Sequence, residues 1–251
     1  MGPDTVRALT GAGHDVVPLV ASSWELLVEA CRAELEVPPD AFVVVGGDGM
    51  VSLGVTLLAG TDVPLGLVPS GTGNDFARAL GLPHDDHRAA IGTLLGCLPL
   101  GPRTVDAGRV TGADGRVTWF AGTLSAGFDA LVNDRANRMS WPRGRRRYDL
   151  ALALELLALR RIRYELVVER LTRLQFLRLF PKVARGEHLG DRRVSVRRAQ
   201  RLRIDAPGVV AYADGERVGP LPVEVEVVAG ALRVLAPQPV GQGRPAPGRR
   251  G

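Results

Sequence analysis

Short apolar runs alternate with stretches of helical apolar spacing along the first hundred residues. Uninterrupted β-branched and aliphatic residues predict buried strands, and apolar residues three or four positions apart predict helices. The predicted strands are 15–20, 42–45 and 63–68, and the predicted helices are 24–35, 51–58 and 75–80. Ser22 and Glu25 have the spacing of a capping box at the start of the first helix. This alternation is typical of a parallel α/β sheet.

The second half of the chain is richer in predicted strands. Strands 105–110 and 117–121 flank the predicted turn 112–115, and one strongly apolar helix is predicted over 148–162. Further strands are predicted at 194–196, 202–204, 209–212, 223–228 and 232–235. The predicted organisation is an α/β domain over 1–104, a β-rich domain over 105–237, and a disordered tail of proline, glycine and arginine over 238–251.

Composition narrows the class of protein without deciding its function. The 251 residues suffice for one large domain or two modest ones, and no run approaches the roughly 18 apolar residues of a membrane-spanning helix. Two cysteines without metal-ligand spacing are too few for a disulfide framework, which favours a cytoplasmic protein. The net charge is +5, and arginine supplies almost all of the positive charge. This preference for arginine indicates either codon usage or attraction to phosphates and anionic membranes.

The arginines do not indicate a nucleic-acid-binding protein, because no basic stretch is interleaved with aromatic residues. They cluster at 143–147 and 160–163. These clusters belong either to solvated loops or to a patch that docks on an anionic membrane.

Two glycine-rich segments carry the candidate chemistry. Each lies between a predicted buried strand and a helix, so both are expected at the carboxyl ends of neighbouring parallel strands, where open α/β sheets bind their ligands. Glycine lets a backbone approach a ligand closely, and free N–H groups at a helix start favour phosphate. The first segment contains Gly46, Gly47, Asp48 and Gly49, and the second contains Ser70, Gly71, Thr72, Gly73, Asn74 and Asp75.

Each segment also has a purely structural interpretation. Asp-Gly pairs are common in turns, and Thr72 or Asn74 is suited to cap a helix. Two such loops, each with an aspartate, nevertheless favour a binding site. Asp48 and Asp75 are candidate magnesium ligands, because Mg²⁺ binds a few carboxylates together with phosphate oxygens and water. The sequence contains no conventional P-loop.

Three motifs resemble those of one enzyme family. Residues 43–50 resemble the nucleotide loop shared by diacylglycerol kinases, sphingosine kinases and NAD kinases. Residues 70–78, Ser-Gly-Thr-Gly-Asn-Asp-Phe-Ala-Arg, resemble more specifically the second signature of the diacylglycerol kinase catalytic domain, and they argue against a NAD kinase. Residues 212–216, Tyr-Ala-Asp-Gly-Glu, are similar to the C-terminal Asp-Gly-Glu element of the family, although alone they would read as a hairpin turn.

The resemblance implies a fold and a set of residue roles. It implies an α/β nucleotide-binding domain followed by a β-sandwich-like domain, with the active site in the cleft between them. ATP and Mg²⁺ would lie beside Asp48 and Asp75. Asp106 matches an acidic position at the start of the second domain, and Glu216 matches the carboxylate that helps to deprotonate the lipid hydroxyl.

The chain departs from the family pattern in three places. It begins after the expected first strand, whose Asn-Pro loop helps to hold the nucleotide. Met50 stands where the family usually has threonine, and the second domain lacks strands that the resemblance places near 165–175. Both domains are therefore expected to be shortened, with unpaired sheet edges.

The hypothesis from sequence is an ATP-dependent lipid kinase. It would transfer the γ-phosphate to the hydroxyl of diacylglycerol or a similar lipid alcohol, giving phosphatidic acid or its equivalent. Such an enzyme is expected in the cytoplasm, peripherally at the inner face of an anionic membrane, and homodimer formation stays open. The alternatives are a catalytically impaired relative that only binds nucleotide or membrane, and, less favoured, a NAD kinase.

Overall fold

The computed structural model describes residues 1–141, 147, 150–151 and 199–238, which form two compact units. The first unit consists of Met1 to Ala107 together with the chain from Ala229 onward, and the second extends from Gly108 to Val228. Several predictions lie outside the described residues: the strand at 194–196, the shortened stretch near 165–175, the tail from 239, and the helix at 148–162 apart from helical residues 150 and 151. No helix in the described ranges is long and apolar enough to cross a bilayer.

Helices and strands alternate in the first unit. The helices are α1 (Gly2–Gly11), α2 (Trp24–Glu34), α3 (Asp48–Leu58), α4 (Asp75–Ala79) and α5 (His87–Cys97), and a 3₁₀ turn follows at Leu98–Leu100. The strands are β1 (Phe42–Gly46), β2 (Leu65–Pro69), the first part of β3 (Arg103–Gly112) and the last part of β9 (Val223–Leu235).

Parallel strands form the centre of this unit, which confirms the predicted α/β class. Its strand order is β1-β2-β9, with β3 next to β9. The first two strands end at the same level, because Gly46 pairs with Pro69. Gly54 of α3 lies against Leu65, whereas Leu94 of α5 lies over Gly66. Since successive strand residues face opposite sides, helices cover both faces of the sheet.

The predicted strand at 15–20 is wrong. These residues form no strand, and Val17 and Val20 are 60% and 90% exposed. A strand needs a neighbour for its N–H and C=O groups. In the described part of the chain no strand pairs with this segment, so its apolar composition alone does not make it extended sheet.

One predicted helix cap and one predicted helix start are also corrected. Ser23, not Ser22, caps α2, and its hydroxyl oxygen accepts from the backbone N–H of Leu26 at 3.3 Å. Because the helix begins at Trp24, the capping residue is the one immediately before it. Helix α3 begins at Asp48, three residues earlier than predicted, so Asp48 and Gly49 of the first glycine segment lie in its first turn.

The second unit is built from antiparallel strands. Its elements are β3, β4 (Val117–Phe120), β5 (Leu124–Ser125), α6 (Phe128–Arg138), β6 (Arg201–Ile204), β7 (Val210–Ala213), β8 (Glu216–Pro220) and the first part of β9. Strands β3, β4, β6 and β9 belong to the same sheet as β1 and β2, and a second sheet has the order β5-β7-β8. Val110 and Val223 from one sheet share a core with Ala211 and Ala213 from the other, which is a β-sandwich arrangement.

Strand β9 is continuous, although two strands at 223–228 and 232–235 were predicted from the sequence. The apparent break falls at Gly230, whose φ of +63° is accessible to glycine without strain. The carboxylate of Asp106 accepts from the Gly230 N–H at 2.9 Å and supports the chain at this irregular point. The strand therefore passes through a local distortion instead of ending there.

Candidate active site

The two glycine-rich loops meet at one edge of the parallel sheet. The N–H of Ser70 donates to the carbonyl of Gly46 at 2.9 Å, which continues the β1–β2 pairing into the loops. Beyond that point the loops touch backbone to backbone. A Cβ on Gly71 would lie 2.5 Å from the Cα of Gly47, and a Cβ on Gly47 would lie 3.0 Å from the Cα of Gly71. Glycine is needed at this contact because the two chains leave no room for a side chain.

Asp48 connects the two loops through its carboxylate. One carboxylate oxygen accepts from the N–H of Asn74 at 3.1 Å, and the other accepts from the N–H of Asp75 at 3.0 Å. These N–H groups belong to the start of α4 and were expected from the sequence to be free for phosphate. That expectation is wrong for these two groups, because an aspartate from the other loop already caps the helix.

Asn74 shapes the second loop from inside. It adopts a left-handed backbone with φ of 54° and is only 3% exposed. Its side-chain oxygen accepts from the Gly71 N–H at 3.0 Å, and its amide donates to the carbonyls of Gly71 at 2.9 Å and His84 at 3.2 Å. Asn74 occupies the N-cap position but makes no side-chain cap, so its role is to fold the loop back on itself.

Other backbone donors in the loops remain available. Within residues 1–141 and 199–238, no acceptor is found for the N–H groups of Asp48, Gly49, Thr72 and Gly73. The first two lie in the opening turn of the eleven-residue helix α3, which has no side-chain cap. Free N–H groups at a helix start, beside glycines that expose the backbone, form a favourable site for an anion such as a phosphate.

The residues suit a magnesium ion bridged to phosphates better than an ion held by protein alone. Asp48 and Asp75 each have a carboxylate oxygen within 4.0 Å of the point where a side chain on Gly73 would begin. Asp75 is exposed, and its carboxylate makes no described hydrogen bond. No group of three or more metal-ligating side chains occurs in the described ranges. Two carboxylates with substrate oxygens and water would fit Mg²⁺, which rarely binds in an all-protein cage.

Asp106 and Glu216 lie on strands outside the two glycine-rich loops. Asp106 is exposed in β3 of the first unit, and its described partner is the Gly230 N–H. Glu216 is the first residue of β8 in the second unit, where it is exposed and pairs across the hairpin with Ala213. The loop residues are therefore brought together, whereas the expectation of a cleft between the domains stays a prediction.

A buried tyrosine in the second unit makes a contact that the sequence did not predict. Tyr212 of β7 is 1% exposed, and its hydroxyl donates to Asp134 of α6 at 3.0 Å. Asp134 also forms an ion pair with Arg138 at 2.5 Å. Burial, reinforced by the hydrogen bond to Asp134, raises the pKa of Tyr212, so the hydroxyl remains a donor at neutral pH. Strand patterning placed Tyr212 in a strand but gave no signal for its partner on a helix.

Replacing Tyr212 by phenylalanine should lower the free energy of unfolding by about 1 kcal/mol at pH 7, because one buried hydrogen bond is lost. Asp134 would keep its ion pair with Arg138. The wild-type advantage should shrink as the pH rises above 10, because the tyrosine then ionises more readily in the unfolded chain than in the folded one. Urea unfolding at pH 7 and pH 10.5 measures both effects, and equal stabilities at pH 7 would contradict the assigned bond.

An open cavity of about 470 Å³ lies in the second unit, where residues of β3, β6 and β9 line it. Its charged lining is already paired: Glu226 contacts Arg109 at 2.5 Å and Arg201 at 3.0 Å, and Glu224 contacts Arg203 at 3.4 Å. Exposed pairs of this kind contribute roughly 0–1 kcal/mol each. This surface is a solvated face of the sheet, and we assign it no ligand.

Comparisons with known proteins agree with the two-part architecture. A family model described as the diacylglycerol kinase catalytic domain matches residues 7–110, and a model described as the YegS C-terminal NAD kinase beta sandwich-like domain matches residues 165–236. The chain is 35% identical over 280 residues to a diacylglycerol kinase of Mycobacterium tuberculosis, covering 94% of this chain and 86% of the relative. It is 26% identical over 240 residues to a diacylglycerol kinase of Bacillus subtilis, covering 79% and 78%.

A solved structure shares the fold. A crystal structure of a diacylglycerol kinase from Bacillus anthracis superposes with a TM-score of 0.62 at 17% identity, covering 92% of this chain and 89% of that one. The 280 positions aligned with the mycobacterial relative outnumber the 251 residues of this chain, so that relative has segments without a counterpart here.

Proposed function

Because this chain belongs to the diacylglycerol kinase family, we propose that it is an ATP-dependent lipid kinase whose acceptor is the hydroxyl of diacylglycerol or a similar lipid alcohol. In this reaction the lipid oxygen forms a bond to the γ-phosphorus, the bond from that phosphorus to the β–γ bridging oxygen breaks, and ADP leaves. The hydroxyl proton passes to a base on the protein. The products are phosphatidic acid, or its equivalent, and ADP.

The observation that carries the proposal is the pair of loops at the ends of β1 and β2. They combine free backbone donors at Asp48, Gly49, Thr72 and Gly73 with two carboxylates, Asp48 and Asp75. Phosphoryl transfer relies on positioning and charge neutralisation more than on covalent catalysis. Backbone N–H groups would bind the ATP phosphates, and Asp48 and Asp75 would hold Mg²⁺. When bound, that ion supplies neutralisation of the phosphate charge.

Glu216 is the proposed general base, and Asp106 is a proposed second acidic group. Glu216 is exposed at the start of β8, so its carboxylate is open to an incoming hydroxyl. One oxygen of Asp106 accepts from Gly230, which leaves the other free for a water or an ion. A base of this kind must come within hydrogen-bond distance of the proton that it removes.

The substrate sets where the protein would act. A diacylglycerol lies in a bilayer, so the proposed enzyme works from the cytoplasm at an anionic membrane face. The arginine-rich sequences at 143–147 and 160–163 would add electrostatic attraction to anionic lipids.

Glu216→Gln should lower turnover by about 100-fold while the KM for ATP changes less than about twofold, because the amide cannot accept the proton and does not alter the nucleotide loops. Initial rates at varied ATP measure both constants. Glu224→Gln is the control, since Glu224 is an exposed carboxylate of the same unit whose described partner is Arg203. An unchanged rate for Glu216→Gln would make 214–216 an ordinary hairpin turn.

The experiment that tests the function is transfer of labelled phosphate from ATP to lipid alcohols in mixed micelles with Mg²⁺, with NAD as a separate acceptor. Transfer to diacylglycerol supports the proposal, and transfer to NAD overturns it. One observation favours the impaired-relative alternative: the side chain of Met50 packs against Gly46, at the position where the family usually has a hydroxyl. A folded protein without transfer to any lipid would support that alternative.

A further inference from the structure

The carboxylate of Asp214 sits in a cradle of three backbone N–H groups. One oxygen accepts from Ala121 at 2.8 Å, and the other accepts from Gly122 at 2.9 Å and Thr123 at 2.8 Å. These donors form the connection between β4 and β5, more than 90 residues earlier in the chain. The N–H of Asp214 donates in return to the carbonyl of Thr123 at 2.8 Å. Four hydrogen bonds thus join this connection to the hairpin between β7 and β8.

The cradle is closely fitted to a carboxylate. A side chain on Gly122 would begin 2.8 Å from the Asp214 oxygen, so only glycine allows this approach. Asp214 itself has φ of 48°, a left-handed conformation that costs free energy for a non-glycine residue. Charge-assisted bonds to three N–H groups offset that cost. The three N–H groups engage both carboxylate oxygens, so the side chain is fixed against the β4–β5 connection.

A separate contact holds the first strand of the same hairpin, β7. Tyr212, two residues before Asp214, anchors β7 to α6 through Asp134. Glu216 follows two residues after Asp214 and begins β8. Because Asp214 and Gly215 both have positive φ, the turn has the backbone of a tight hairpin, and its geometry fixes where β8 starts.

We infer that Asp214 is a positioning residue for Glu216: its carboxylate fixes the hairpin to the β4–β5 connection and thereby sets the location of the proposed base. This inference rests on the proposed function. A misplacement of about 1 Å at a reacting group can cost roughly 100-fold in rate. Asp214 therefore affects turnover without touching the lipid or the nucleotide.

The experiment compares Asp214→Asn with Asp114→Asn. Asp114-Gly115 is a second Asp-Gly hairpin turn in the same unit, but the described partner of Asp114 is the nearby Arg116, whose N–H donates at 3.0 Å and whose side chain forms an ion pair at 4.0 Å. Amide hydrogen exchange, followed by NMR, should accelerate at least about tenfold at Ala121, Gly122 and Thr123 in Asp214→Asn and stay unchanged in Asp114→Asn. Unchanged exchange at these three amides in Asp214→Asn would overturn the inference.

Turnover then separates positioning from general destabilisation. Asp214→Asn should lower kcat by roughly 100-fold with the KM for ATP unchanged, and it should cause little further loss when combined with Glu216→Gln. Losses that multiply in the double variant, or a normal kcat, would overturn the inference. Should Asp214→Asn fail to fold, Asp214→Ser retains one short acceptor and is judged by the same readouts. A wild-type protein without transfer would instead overturn the proposed function.

Discussion

Replacing Asp48 by asparagine should reduce phosphate transfer by at least about 100-fold and also lower the free energy of unfolding by about 2 kcal/mol. The first effect follows because a charged group beside the phosphates and their metal is neutralised. The second follows because the carboxylate accepts from both Asn74 and Asp75, and an amide has only one oxygen to offer. Its NH₂ group would face a backbone donor, which costs a charge-assisted hydrogen bond.

The two effects of Asp48→Asn are measured separately. Urea unfolding gives the stability, and transfer is assayed well below the unfolding midpoint so that only folded protein contributes. Asp85→Asn serves as the control, since Asp85 is exposed in the loop before α5 and makes no described contact. Normal transfer would contradict the role of Asp48 in holding Mg²⁺ beside the phosphates, and loss of transfer with unchanged stability would contradict its role in joining the two loops.

Gly71→Ala should abolish measurable transfer and lower the free energy of unfolding of the first unit by about 1–3 kcal/mol, which is the typical cost of overpacking a well-packed site. The new methyl group would begin 2.5 Å from the Cα of Gly47 and 3.0 Å from the side-chain oxygen of Asn74. Backbone atoms cannot rotate away as a side chain can. The loops must separate, and the bonds from Asp48 to α4 would be broken with them.

Gly92→Ala is the matched control for Gly71→Ala. Gly92 is exposed in the middle of α5, and nothing beyond its own helix backbone lies within 4 Å of the position that an alanine methyl group would take. Alanine should stabilise that helix by up to about 1 kcal/mol and leave transfer unchanged. Thermal unfolding and transfer assays compare the two variants directly. If Gly71→Ala were as stable and active as Gly92→Ala, the backbone contact between the loops would be refuted.

Local patterns sufficed to predict β1, β2 and their two loops, because buried parallel strands and the glycines after them are marked in short stretches of sequence. Helix α5 was not predicted, although Asp86 caps it with bonds from Arg88 and Ala89. The polar, histidine-containing approach to this helix is typical of a loop, and it hides the apolar spacing that follows. Helix α1 was also missed, because the segment before the first predicted strand offers only a short apolar pattern.

The contacts that define the site could not be predicted from short stretches of sequence. Asp48 bonds to a residue 26 positions away, and Asp214 bonds to residues more than 90 positions away. Both aspartates precede a glycine, so each resembles part of a turn when only its neighbours are considered. Which backbone groups they accept from depends on the distance between separate loops after folding. The sequence carries this information only through the fold.

Strand β9 joins the sheet of the first unit late, because it is synthesised near the end of the described chain. Its last residues pair with β2, as Leu65 does with Val234, yet they leave the ribosome after almost all the rest of the described chain. Until then one edge of β2 lacks its neighbour, and the loops that follow β1 and β2 rest on an incomplete sheet. Late, distant pairing of this kind slows folding and leaves an open edge available to other chains. A chain released before residue 234 would lack this pairing and would leave that edge of β2 open.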